Sequence, residues 1–117
     1  MDVTAELIGY LNSRPDVGAR AYPEFPGDGV PPLAVVSRLS GSVPEPGMAT
    51  ARMRVWAYGG DREAAAALAR DIVSALVEWR WDAQNIFNVS IDGQSDDIDP
   101  DTGARRSGIA ATVTFCD

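Results

Sequence analysis

Histidine and lysine are absent from this sequence, and cysteine occurs once, as Cys116 beside the terminal Asp117. Each absence removes a class of chemistry. Serine and cysteine nucleophiles need an activating neighbour, usually histidine or lysine, and neither residue type is there to serve. Zinc centres are built from clustered cysteine and histidine. A disulfide within the chain needs a second cysteine, so a secreted disulfide scaffold is excluded. Cys116 reads as a strand-end residue, because the charge of Asp117 disfavours a reactive thiolate. Met1-Asp2-Val3-Thr4 lacks the basic and apolar regions of a signal peptide. No apolar run approaches the ~20 residues of a membrane span. The expectation is a protein kept in a reducing cytoplasm, with no membrane partner and no cofactor.

What the chain does have is acid. The formal net charge is -7, and all ten basic residues are arginine. An acidic balance argues against free-standing nucleic-acid binding, which relies on basic faces that neutralise phosphate. It permits a surface that DNA slides past without adhering. The length of 117 residues and the apolar share of 45% suit one domain, residues 1–117, with one core.

Hydrophobic spacing orders the elements. Asp2 or Thr4 caps a short helix whose Val3, Leu7, Ile8 and Leu11 share a face, and Pro15 ends it. Val17 to Tyr22 reads as a weak strand. Pro23 to Pro32, with four prolines and two glycines, reads as an extended surface loop. Leu33 to Leu39 is a short apolar run typical of a buried strand, and Gly41 to Gly47 reads as a second loop. Ala49 to Tyr58 alternates: Ala49, Ala51, Met53, Val55 and Ala57 on one face, Thr50, Arg52, Arg54, Trp56 and Tyr58 on the other.

Gly59-Gly60-Asp61 then breaks the strand and caps a long helix from Arg62 to about Trp79. Ala65, Leu68, Ala69, Ile72, Leu76 and Trp79 recur along it at helical spacing. Ile86 to Ile91 reads as a fourth strand with Phe87, Val89 and Ile91 on one side. Asp92 to Arg106 reads as an acidic loop, and Ile109, Ala111, Val113 and Phe115 alternate in a closing strand. The expected fold is α+β: a mainly antiparallel sheet of four to five strands with two helices packed on one face, in the order α-β-β-β-α-β-β.

Three patterns are candidates for function. Asp97, Asp99 and Asp101 carry the alternate carboxylates that open a calcium-binding loop. The match fails further along, with Thr102 where glycine is required and Gly108 where glutamate is required, and no helices flank the segment. Paired carboxylates acting on a sugar would need a cleft that separates their protonation states, and nothing in the sequence indicates one. Arg52, Arg54, Trp56 and Tyr58 combine residue types enriched at interface centres, and they read equally well as an exposed strand face. Trp81, Asp101, Arg105 and Arg106 join them as candidate contact residues for a subunit or partner. Gly59-Gly60-Asp61 joins strand to helix, but Asp61 and Glu63 would repel an anion there.

The order of elements, together with several local phrases, resembles the tail-terminator proteins of long-tailed bacteriophages, including minor tail proteins of phages and prophages of GC-rich hosts. The phrases are a short helix ending in Tyr10-Leu11, a proline-rich stretch leading to Leu33–Leu39 and Ser40-Gly41, and Met53-Arg54-Val55-Trp56-Ala57 running into the alanine-rich helix Ala64–Leu76. Asp99-Pro100-Asp101-Thr102-Gly103-Ala104-Arg105-Arg106 then precedes the last strand. The chain departs from that pattern in the acidic segment Gln94–Asp97 and the long loop Pro23–Pro32.

The resemblance implies a structural protein, not an enzyme, that forms a homohexameric ring at the head-proximal end of the tail tube. Such a ring stops polymerisation of tube protein and offers a surface for joining the head, while DNA passes through its lumen without specific binding. Its partners would be its own copies, the tail-tube protein and a head-completion protein. Its location would be the host cytoplasm during assembly and then the virion tail. The alternatives are another neck component, such as a stopper or head-completion protein, and a calcium-stabilised binding module.

Overall fold

A computed structural model of the chain describes residues 2–45 and 47–116, with residues 42–45 described by backbone alone. The elements follow the expected order: α1 (Val3–Ser13), β1 (Arg20–Tyr22), β2 (Leu33–Glu45), β3 (Met48–Gly59), α2 (Arg62–Asp82), β4 (Ile86–Ile98) and β5 (Arg105–Cys116). They build one five-stranded sheet in the order β1-β2-β3-β5-β4. Three pairings are antiparallel, and only β1 against β2 is parallel.

Both helices pack on the same side of the sheet. Val3, Leu7 and Leu11 of α1 and Leu68, Ile72, Leu76 and Trp79 of α2 share one core with Ala51, Met53 and Val55 of β3 and Ile109, Val113 and Phe115 of β5. Burying each large apolar side chain of this set stabilises the fold by about 1.5–3 kcal/mol before entropy is counted. Small residues on β3 let α2 lie close. Gly59 marks the closest approach, because a Cβ there would come within about 2.3 Å of the Ala65 backbone nitrogen. Asp2 and Asp61 cap the two helices by accepting from the N–H groups of Ala5 and Ala64.

The helices are clasped at their C-terminal ends. The Tyr10 hydroxyl donates to Asp82 at 2.6 Å, and Arg14 reaches Asp16 and Glu78, each at 2.7 Å. The Arg14 hydrogen bond holds the Asp16 carboxyl below its ordinary range. Asn12 closes the near edge of the sheet: its side chain accepts from Ala21 N–H at 2.7 Å and donates to Ala21 O at 3.2 Å. The far edge is β4, whose residues 92–98 are all exposed.

Several boundaries differ from the sequence reading. The first strand is limited to Arg20–Tyr22, and Val17 enters the core from the preceding turn. The segment expected as a loop from Gly41 is the outer part of β2, which keeps pairing with β3 through two register shifts. Such bulges absorb residues that do not fit a regular ladder. Pro46, in that expected loop, lies outside the described residues, as do Met1 and Asp117.

The acidic stretch Asp92–Arg106 is mostly strand as well: β4 continues to Ile98 and β5 starts at Arg105. Backbone pairing with β5 forms this half of β4 although every residue from Asp92 to Ile98 is exposed. Phe87 does not join Val89 and Ile91. A shift between Ile86 and Asn88 turns it outward, 68% exposed. Finally, α2 runs past Trp79 to Asp82, so Trp81 sits in its last turn.

Candidate functional site

The helices lie on one face of the sheet, and strand alternation sends the polar side of β3 to the other, where Tyr22 and Phe25 pack over Leu33, Val35 and Tyr58. Arg52 is exposed, Arg54 and Trp56 are half-buried, and Tyr58 is buried. Cross-strand pairing sets their neighbours. Trp56 lies opposite Gly108, and Tyr58 lies opposite Arg106, which in turn faces Asp97 on β4. The missing side chain at Gly108 is filled by the indole ring of Trp56. The Arg106 guanidinium stacks over that ring at 3.8 Å, with Arg54 at 5.3 Å.

Arg106 is the hub of this arrangement. Its Nε and Nη2 donate to the two oxygens of Asp97 at 2.6 and 3.2 Å, a forked pairing that fixes the guanidinium plane. Its Nη1 reaches the Tyr58 hydroxyl at 3.4 Å and lies 3.8 Å from Asp99. The Tyr58 hydroxyl donates to Asp99 Oδ2 at 2.7 Å, and the Asp101 N–H donates to Asp99 Oδ1 at 2.9 Å. The Arg106 hydrogen bond holds the Asp97 carboxyl below its ordinary range. Burial opposes ionisation of Asp99, yet the donors from Tyr58, Asp101 and Thr102, with Arg106 nearby, keep it lowered too. The Tyr58 hydroxyl is raised, first by burial and then by its bond to Asp99.

The candidate residues therefore separate into distinct places. Arg52, Arg54 and Trp56 form an open patch beside a shallow depression of about 210 Å³ floored by Gly93, Gly108 and Ala110. Tyr58 lies beneath Phe25, whose ring meets it edge-on with centroids 4.9 Å apart, so it supports the patch from within. Arg106 is tied into the chain's own network. Asp101 and Arg105 are exposed at the β4–β5 end, where Gly103 takes a positive φ of 72° in the turn. Trp81 is far from this patch, at the end of α2 with Arg80 stacked on it at 4.4 Å. Arg80 also donates to Asn88 on β4 at 3.2 Å.

The aspartates of the calcium candidate are not drawn together. Asp97 faces Arg106, Asp99 faces Tyr58, and Asp101 is exposed at the turn. Among the described residues no group of three or more His, Cys, Asp or Glu side chains is arranged to hold a metal ion. No helix among the described residues is long and apolar enough to cross a membrane. Phe25, Asp97 and Asp99 as supports of the patch were not visible in the sequence. The signal that finds them is the cross-strand register from Tyr58 to Arg106 to Asp97.

No family model matches the chain, and no curated protein does. Among solved structures, the fold is shared with a chain in the virion of a native gene transfer agent particle. The match covers 100% of each chain, with a TM-score of 0.63 at 15% sequence identity.

Proposed function

We propose that this chain is a structural virion protein that forms a homo-oligomeric ring and caps the tail tube of a phage-like particle. The observation that carries the reading is the end-to-end likeness in fold to a chain of a gene transfer agent virion. The ring would stop tube polymerisation and present a surface to the head. Copies of itself, the tail-tube protein and a head-completion protein would be its partners, and DNA would pass through the lumen.

Three features support this. Arg52, Arg54 and Trp56 form a pre-ordered patch of residue types favoured at interface centres. The acidic net charge of -7 suits a passage that does not retain phosphate. The β4 edge is open for a neighbour. The test is light scattering of the full chain, alone and with tail-tube protein. A higher-order species with one stoichiometry, and shortened tubes when it is present, are expected. A chain that stays monomeric in both conditions overturns the reading, and a ring that binds only head-side components reassigns it to another part of the neck.

A further inference from the structure

The free half of β4 borders a trough whose lining points to one occupant. Two adjoining depressions, of about 250 and 470 Å³, lie between the first half of α2 and residues 94–97 of β4. Arg62, Arg70 and Arg105 rim them, and Ala66 and Ser107 lie along them. The acids that line them are already engaged: Asp97 is forked with Arg106, while Asp96 accepts from Ser107 at 2.6 Å and lies 3.9 Å from Arg62. Arg70 and Arg105 have no ion pair among the described residues. The trough therefore presents uncompensated positive charge on a chain that is otherwise acidic.

The complementary segment is the loop Pro23–Pro32. It carries Glu24 and Asp28 and no basic residue. Both acids are exposed and without an ion pair among the described residues, and Val30 is 78% exposed. Its proline content and the Phe25 contact with Tyr58 hold it in shape before binding, which lowers the ordering cost of an interface. Within one chain neither Glu24 nor Asp28 pairs with the arginines of the trough; the loop joins β1 to β2 and rests through Phe25 on Tyr58, whereas the trough lies beyond β3, between α2 and β5–β4.

Height decides the rest. The register Leu33–Tyr58–Arg106–Asp97 runs straight across the sheet. Both anchors of the loop are level with the trough, Leu33 with Asp97 and Tyr22, through Val35, Trp56 and Gly108, with Ser95. Rotation about an axis along the strands carries the loop of one copy to the trough of the next without a change in height, and a contact between two different surfaces is what closes a ring. We infer that the acidic loop Pro23–Pro32 of one copy seats in the Arg62–Arg70–Arg105 trough of its neighbour. This rests on the ring reading above and identifies the contact that closes the ring.

The test reverses charge on each side. Arg70→Glu with Arg105→Glu alters the trough, and Glu24→Arg with Asp28→Arg alters the loop. All four positions are exposed, so the melting temperature of the monomer should hold. Sedimentation of the full chain over rising concentration is expected to show self-association weakened at least tenfold in either double variant. Equimolar mixing of the two variants should restore it, because loop and trough then match in alternation. Combining all four changes in one chain should restore it as well.

If the wild-type chain assembles and both variants assemble equally well, the trough contact is wrong while the ring stands. If both variants are weakened and neither mixing nor combination rescues them, the pairing of loop with trough is wrong. If the wild-type chain never self-associates, alone or with tail-tube protein, the ring itself is overturned and this contact with it.

Discussion

Trp56 rests on Gly108: a Cβ at Gly108 would lie 2.6 Å from the indole Cζ3 and 3.0 Å from Cε3. The contact lets the ring lie flat on β5 and places it under the Arg106 guanidinium. A rigid indole has little freedom to yield. Gly108→Ala is expected to displace the ring from Arg106 and to cost about 1–3 kcal/mol, the range for overpacking a fitted site. Chemical denaturation measures the loss, and near-ultraviolet circular dichroism reports the ring. A variant that unfolds like the wild type, with an unchanged aromatic spectrum, would contradict the packing.

Tyr58 and Asp99 form the buried bond on which the β4–β5 turn hangs. Removing the hydroxyl in Tyr58→Phe leaves a buried carboxylate oxygen without that donor, a loss of about 1–3 kcal/mol. Asp99→Ala should cost a similar amount, and the double variant should cost less than the sum, because the two act on one interaction. Strict additivity in urea denaturation would show that they are independent.

Acid should weaken the same end of the molecule. Asp97 and Asp99 ionise more readily in the fold than their ordinary value of 3.8. Their contribution is therefore complete above that value and is lost as pH falls below it. Tyr58 behaves in the opposite sense. Its hydroxyl is raised above 10.0, so its contribution is present below that pH and lost as pH rises through the raised value. Hydrogen exchange at the Asp99–Ala104 turn should accelerate at both extremes. Arg106→Met should flatten the acid limb, since it removes the group that lowers Asp97. An acid limb unchanged in that variant would point to other carboxylates.

Gly59 is a stricter position than Gly108. A Cβ there would meet the Ala65 nitrogen at 2.3 Å and Ala64 C at 2.7 Å, and both are helix backbone. No side chain can swing aside, so α2 itself must shift off β3. Gly59→Ala is expected to cost about 3 kcal/mol, at the upper end of overpacking. Gly60→Ala, with nothing within 4 Å of its Cβ, serves as the control. Equal melting temperatures for the two variants would rule out the close approach.

Much of the framework could be read in the sequence because it repeats where the core demands it. The alternation from Ala49 to Tyr58 and the helical spacing from Ala65 to Trp79 are both imposed by one buried side. The second half of β4 has no such mark. Both of its faces are exposed, so Gln94, Ser95 and Asp96 show no period, and only the backbone ladder with β5 makes them a strand. The outer part of β2 was hidden for a related reason, since its glycine and its register shifts interrupt the pattern. Of the candidate site, Arg52, Arg54 and Trp56 were readable from alternation. The burial of Tyr58 was not, because the residue covering it, Phe25, belongs to a loop with no periodic signal. Phe87 misled in the other direction, since a one-residue shift reverses the side that parity assigns.

The exposed half-strand Asp92–Ile98 has an evolutionary consequence. Gln94, Ser95 and Ile98 pack against no core, so substitutions there should fall within the roughly 0.5 kcal/mol typical of surface changes. Residues such as Met53 or Ile109 have no such freedom. Selection acting on this segment is thus separated from selection on foldability. A lineage can rewrite this edge, one side chain at a time, while the sheet behind it stays the same.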